Sequence, residues 1–117
     1  MVAHNKLRTL HGSQPLVWSE ELASDAQKWC EQLALNDVLE HDNKTLGTNN
    51  HGENIAAANG SNLQSGGPTP ELCKMMVEKW YMEEHNYNYK TGIPKAPGLP
   101  INHFAQVFLK TAFVEKY

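Results

Sequence analysis

The chain has 117 residues, a length that predicts a single domain over residues 1–117. Hydrophobic residues make up 40% and charged residues 20% of the sequence, which is typical of a globular protein and unlike a disordered chain. Asp and Glu (13) outnumber Lys and Arg (10), and this formal charge of -3 argues against a nucleic-acid partner, because nucleic-acid binding normally requires an excess of basic residues.

Two helices are predicted in the first third of the chain. Residues 1–11 have apolar side chains at helical spacing, and His11-Gly12 ends the pattern. A longer helix is predicted over 19–36, because Ser19 is a good N-cap and the next two residues are acidic. Four apolar side chains then repeat at spacings of four, three and four, which places them on one face: Leu22, Ala26, Trp29 and Leu33.

The middle of the chain alternates between loops and one further helix. Residues 41–54 are polar and predict a loop, and 59–70 are rich in glycine and proline. Thr69 followed by Pro70 is typical of a helix start, so a second amphipathic helix is predicted over 70–86. We expect the three tryptophans, Trp18, Trp29 and Trp80, to lie in the core, because large aromatic side chains dominate burial.

The last part of the chain is harder to interpret. Residues 90–100 contain three prolines and two glycines and are predicted to be irregular. For 101–114, alternation of apolar side chains fits a strand, whereas Phe104, Val107 and Phe108 also fit one short helical turn. Both alternatives stay open from the sequence.

Membrane and cysteine patterns limit the class of protein further. No apolar run approaches the roughly 20 residues that span a bilayer, so no transmembrane segment is expected. The first residues lack the apolar stretch of a signal peptide. Two cysteines, Cys30 and Cys73, are too few for a disulfide-built secreted scaffold, and we expect two buried thiols.

Four ionisable side chains lie at the edges of apolar segments: His41, Glu53, Glu83 and His103. Two imidazoles and two carboxylates suit a divalent transition metal with room left for water. Spacing is weak evidence here, and composition alone favours four separate surface or capping residues. Helical geometry does not separate Glu83 from Glu84, because both lie near the broad apolar face of the 70–86 helix.

Ordered blocks of residues along nearly the whole chain match a known superfamily: His4-Asn5-Lys6-Leu7-Arg8, residues 15–18, residues 22–29, His41, Gly52-Glu53-Asn54-Ile55-Ala56, Trp80-Tyr81-Met82-Glu83 with Tyr87, and His103-Phe104-Ala105-Gln106-Val107. The set resembles the CAP superfamily, also called the SCP domain, which groups cysteine-rich secretory proteins, antigen 5 and plant pathogenesis-related class 1 proteins. The resemblance implies an α+β fold, a three-layer α-β-α sandwich. It also implies that the family fold begins before Met1 and continues past Tyr117 into the terminal sheet strands.

The resemblance also implies a site. The family's cavity tetrad falls on His41, Glu53, Glu83 and His103, and this choice of Glu83 over Glu84 comes from the family pattern. In some members the tetrad binds a divalent metal such as zinc, and we expect weak binding here. Asn54 is implied as a residue behind the ligands whose amide steadies the loop that carries Glu53.

Within the superfamily, the few cysteines and the Trp80-Tyr81 and Asn86-Tyr87-Asn88-Tyr89 blocks are most similar to the Golgi-associated pathogenesis-related branch. That branch lacks a signal peptide and binds acidic membranes peripherally. The chain departs from the family pattern at three positions. His51 stands where many secreted members have a disulfide cysteine, and Leu109 stands where a tryptophan usually follows. Asn59 stands where the Golgi-associated branch has a serine once proposed as a nucleophile.

Two classes of function follow from these observations. We expect a non-enzymatic binding module with a metal-binding His/Glu cleft and with surfaces for a membrane lipid (an acidic lipid or a sterol) or for a protein, including a second copy in a homodimer. The alternative is a metal-assisted, peptidase-like hydrolase that uses the same cleft. No nucleophile motif is visible, so no catalytic residue is assigned. The expected location is the cytoplasm or the surface of Golgi-type membranes, with the extracellular space as the alternative.

Overall fold

Helix formation in the first half of the chain follows the local sequence. The computed structural model describes residues 1–44, 47, 51–58, 63–64 and 67–108, so Asn59 and Leu109 lie outside the described residues. Helix α1 covers Val2–Leu10. Helix α2 covers Glu20–Asn36, and the Ser19 hydroxyl accepts a hydrogen bond from the Leu22 amide at 3.4 Å, as the predicted cap requires.

Helix α3 covers Pro70–Tyr81 and begins at the predicted cap. The Thr69 hydroxyl accepts a hydrogen bond from the Leu72 amide at 3.2 Å, and Pro70 occupies the first turn. The α-helix is shorter than the predicted 70–86, because Met82–Asn86 form a 3₁₀ helix. A tighter last turn is common at helix ends. Lys95 stabilises this end by donating to the carbonyl oxygens of His85 and Asn86.

Strands in the described residues form two short antiparallel ribbons. Strand β1 (Leu63–Gln64) pairs with β2 (Gly67–Pro68), and β3 (Tyr87–Asn88) pairs with β4 (Ile93–Pro94). The combination of helices and strands confirms the predicted α+β class. In the described parts of the chain, the ribbons are the only strands, with two strands in each sheet.

The ambiguous segment near the end of the chain is helical where the structure describes it. Helix α4 covers Asn102–Phe108, so the strand alternative is wrong for residues 101–108, and residues 109–114 lie outside the described part. Helices α1, α3 and α4 pack against one another. Their core cluster consists of Val77, Trp80 and Val107, and Phe104 is also fully buried.

Helix α4 is tied to the start of the chain by polar groups. The buried Arg8 guanidinium donates to the carbonyl oxygens of Gln14 and Val107 at 2.8 and 2.9 Å. The Ser13 hydroxyl donates to the carbonyl oxygen of Phe108 at 2.6 Å. Arg8 and Ser13 therefore bind the last two carbonyls in the described part of α4.

Some burial predictions need correction. Trp80 is buried and Trp29 is half-buried, but Trp18 is 48% exposed, because its short segment follows a turn and lies on the surface. Cys30 and Cys73 form no disulfide, as expected, yet both are half-buried rather than buried. Among the helices in the described part of the chain, none is long and apolar enough to cross a membrane.

Candidate metal centre

The first half of the candidate site is a pair between His41 and Glu53. The Glu53 side chain is fully buried, and its Oε1 lies 2.7 Å from Nδ1 of His41. The backbone amide of Asp42 donates to the same oxygen at 3.1 Å. A buried carboxylate needs such donors, because burial removes its hydration. The His41 ring remains 46% exposed, so its other edge faces the surface.

The second half is a pair between Glu83 and His103. Oε1 of Glu83 lies 2.7 Å from Nδ1 of His103, and Oε2 accepts from the backbone amides of His103 and Phe104 at 2.9 and 3.3 Å. Glu83 therefore also caps the N-terminus of α4, where the amides have no partner within the helix. Glu84 instead accepts from the Tyr89 hydroxyl at 2.6 Å. Of the two glutamates that helical geometry left open, the structure thus pairs Glu83 with a histidine.

Asn54 connects the two pairs. It follows Glu53 in the chain, is buried, and donates from Nδ2 to the carbonyl oxygen of His103 at 3.1 Å. The contact holds the Glu53 segment against the first turn of α4. The Trp80 ring packs against the His103 ring, nearly parallel to it, with 6.3 Å between the ring centroids.

The chemistry of both pairs follows from what a carboxylate can do. An ionised carboxylate only accepts hydrogen bonds, so Nδ1 of His41 and of His103 carries the proton. A neutral imidazole then has its lone pair on Nε2. Metal-binding histidines have this arrangement, with one nitrogen held by a carboxylate and the other available to the ion. The donor set of the two pairs is therefore chemically suited to a divalent transition metal.

The tetrad is arranged as two pairs rather than as one cluster. In the described ranges, no group of three or more His, Cys, Asp or Glu side chains has the geometry to hold a metal ion. The carboxylate oxygens of Glu83 are already hydrogen-bonded to α4 and to His103. The glutamates are thus placed to orient the histidines, which leaves Nε2 of His41 and of His103 as the available ligand atoms.

A second polar network lies next to the site, within an aromatic cluster made of His11, Tyr81, Tyr87, Tyr89, Phe104 and Phe108. Nε2 of His11 lies 2.8 Å from the Tyr81 hydroxyl. Although Tyr89 is 57% exposed overall, partial desolvation of its hydroxyl raises its pKa, and the hydrogen bond to Glu84 raises this pKa further.

The raised pKa of Tyr89 predicts a loss of stability in alkali. The folded protein keeps a proton that the unfolded chain releases, so the free energy of unfolding falls once the pH exceeds about 10, the ordinary tyrosine pKa. In the variant Tyr89→Phe the alkaline loss of stability should become smaller but not vanish, because the pKa of Tyr81 is also raised, by burial and by Glu84. Tyr87→Phe leaves the Tyr89–Glu84 hydrogen bond intact and should keep the full effect. Urea unfolding measured across the alkaline range tests this, and identical pH profiles for Tyr89→Phe and the unaltered chain would contradict it.

Sequence reasoning missed the contact between Gly52 and Gln106. The Gln106 side chain lies so close to the Gly52 Cα that a Cβ at this position would collide with the amide group. Gln106 is three residues after His103, and residues at this spacing share one helix face. If residues 101–108 are taken as a helix, this spacing indicates that Gln106 faces the same side as His103 and so lies near the loop that carries Gly52.

An apolar cavity of about 170 Å³ lies between α2 and α3. It is bounded by α2, by the segment after Asn54 and by α3, and its lining includes Trp29, Leu33, Ile55, Ala58, Leu72 and Met76. Trp80, a member of the core cluster, also lines it. A cavity of this size and polarity can take up a small apolar group.

Comparison with known proteins identifies the fold family. The sequence model of the CAP family, described as the cysteine-rich secretory protein family, matches residues 1–113. No solved structure gives a significant match to the chain.

Three curated relatives illustrate the similarity. The Golgi-associated plant pathogenesis-related protein 1 of Homo sapiens is 35% identical over 88 residues, which cover 75% of this chain and 51% of the relative. Venom allergen 5 of Polistes fuscatus is 35% identical over 94 residues, which cover 79% of this chain and 40% of the relative. Pathogenesis-related protein 1A of Nicotiana tabacum is 30% identical over 105 residues, which cover 90% of this chain and 54% of the relative. The chain spans about half the length of these relatives, and the match over residues 1–113 means that it belongs to the CAP family.

Proposed function

We propose that this CAP-family chain is a non-enzymatic binding module whose His/Glu cleft binds a divalent metal such as zinc weakly. The observation that carries the proposal is the shared geometry of the two pairs, in which a glutamate lies 2.7 Å from Nδ1 of a half-exposed histidine. His41 and His103 would hold the ion through Nε2. Glu53 and Glu83 orient the two rings through their hydrogen bonds to Nδ1.

A bound divalent ion would supply positive charge for recognising a polar or anionic ligand. The residues of the chain provide the orientation of the imidazoles and the connection through Asn54. A protonated imidazole has no lone pair for a metal, so zinc affinity should decrease as the solution is acidified.

Calorimetric titration with zinc tests the proposal. We expect the double variant His41→Ala/His103→Ala to lose zinc binding, because both proposed ligand nitrogens are removed. His85→Ala is the matched control, since His85 is exposed on the neighbouring 3₁₀ helix and belongs to neither pair. An isotherm of the double variant that equals that of the unaltered chain would refute the metal site.

The apolar cavity supports lipid binding as a second candidate function. The net charge of -3 does not favour acidic headgroups, so an apolar contact such as the edge of a sterol fits the cavity better than an acidic lipid does. Ala58 lines the cavity and Ala57 does not. Ala58→Leu should therefore weaken binding to sterol-containing vesicles, with Ala57→Leu as control, and equal binding by both variants would argue against this cavity.

The hydrolase alternative is less well supported by the same geometry. Both glutamates already accept short hydrogen bonds from histidine, so neither is poised as a general base for water. Peptidase turnover that disappears in Glu53→Gln would favour the hydrolase instead.

For location, we propose the surface of Golgi-type membranes, with the extracellular space as the alternative. A homodimer would cover the exposed apolar side chains Leu35, Val38 and Leu39.

A further inference from the structure

The contact between Gly52 and Gln106 joins the loop of one His/Glu pair to the helix of the other. Gly52 directly precedes Glu53, and Gln106 lies on α4 with His103. A Cβ on Gly52 would overlap both the nitrogen and the oxygen of the Gln106 side-chain amide. Only glycine therefore allows the loop to come this close to α4.

The contact is one of two that flank Glu53. On one side, Gly52 lies against Gln106, and on the other, Asn54 donates to the carbonyl oxygen of His103. Because His103 and Gln106 are three residues apart, both contacts lie within one turn of α4. Glu53 is held between them, with its carboxylate turned towards His41.

The polar end of Gln106 is in an unfavourable environment for a purely structural side chain. Its Nε2 is buried and, among the described residues, has no hydrogen-bond partner. Leaving a buried donor without an acceptor opposes folding, and an apolar side chain would fill the same space without this penalty. Such groups in a native structure call for an explanation beyond packing.

We propose that Gln106 is a positioning residue: its side-chain amide packs against Gly52, sets the distance of the Gly52-Glu53-Asn54 segment from α4, and so sets the separation of the His41–Glu53 and Glu83–His103 pairs. The inference deepens the proposed metal site and rests on it for its functional consequence. Gln106 itself touches no proposed ligand atom.

A set of variants that includes a compensating pair tests this role. Gly52→Ala pushes the loop away from α4, and we expect zinc affinity to fall about 10-fold to 100-fold, the usual effect of disturbing residues behind metal ligands. Gln106→Ala should weaken zinc binding less, because it removes the spacer without adding a collision. The double variant Gly52→Ala/Gln106→Ala should bind zinc more tightly than Gly52→Ala alone, because the truncated side chain leaves room for the new methyl group. Gly47→Ala is the control, since a Cβ there meets no atom of the described residues within 4 Å.

Two readouts separate positioning from general stability and from the metal proposal. Denaturant unfolding identifies variants that lose affinity only because they unfold. Imidazole NMR signals of His41 and His103 in metal-free protein report the pairs even if the unaltered chain fails to bind zinc, a result that would refute the metal site alone. We expect these signals to shift in folded Gly52→Ala and to return in the double variant. Unshifted signals in Gly52→Ala, or a double variant that recovers neither signals nor affinity, would overturn the positioning role.

Discussion

Replacing Arg8 with alanine should lower the free energy of unfolding by about 3 to 5 kcal/mol. Arg8 is 1% exposed, and its guanidinium donates to the carbonyl oxygens of Gln14 and Val107. Hydrogen bonds from a charged donor contribute about 1.5 to 3 kcal/mol each, and their loss leaves buried acceptors without donors. Burial lowers the pKa of Arg8, but an arginine stays charged throughout the working pH range.

Urea unfolding of Arg8→Ala against Lys6→Ala measures this effect. Lys6 is exposed on the same helix, so its replacement should change stability by less than about 0.5 kcal/mol. Arg8→Lys keeps the positive charge but loses the planar guanidinium with its several N–H donors. Its loss of unfolding free energy should therefore lie between those of Arg8→Ala and Lys6→Ala. A change in Arg8→Ala no larger than in Lys6→Ala would mean that α1 does not hold the end of α4.

The second large effect is expected for Glu83→Ala, at about 2 to 4 kcal/mol of stability. Its carboxylate caps two amides of α4 and holds the His103 ring. The seven described residues of α4 are too few to form a stable helix by themselves, so they depend on such contacts.

Glu84→Ala is the matched control for Glu83→Ala. The two glutamates are neighbours on the 3₁₀ helix, but Glu84 touches no amide of α4 among its described contacts and instead interacts with the hydroxyls of Tyr89 and Tyr81. Its loss should cost less than about 1 kcal/mol. Zinc affinity should also fall in Glu83→Ala and stay unchanged in Glu84→Ala. Equal losses of stability in the two variants would contradict the assignment of Glu83 to α4.

Local signals explain why the helix starts could be predicted. The hydroxyls of Ser19 and Thr69 each cap a helix by accepting a hydrogen bond from the amide three residues later in the chain. The signal for each helix start therefore lies within one turn. The choice between strand and helix for residues 101–108 could not be made in this way. The amides at the start of α4 are capped by Glu83, which lies 20 residues before His103 in the chain. The carbonyl of Val107 near the other end accepts from Arg8, which is 99 residues away.

The same distinction applies to the candidate site. The residue types of the tetrad and the family pattern pointed to His41, Glu53, Glu83 and His103, and the structure joins them as two pairs. Which ring nitrogen faces each carboxylate depends on tertiary packing, and no spacing in the chain encodes it. The exposure of Trp18 has the same origin, because hydrophobicity alone does not tell which apolar residues find a neighbour.

The most direct test of the proposed metal site is nitrogen NMR of the two imidazoles during zinc addition to the intact chain. The account predicts that zinc shifts the Nε2 signals of His41 and His103 together, while both Nδ1 atoms keep the protons that they donate to Glu53 and Glu83. Binding that shifts Nδ1, or that leaves both histidines unchanged, would contradict it.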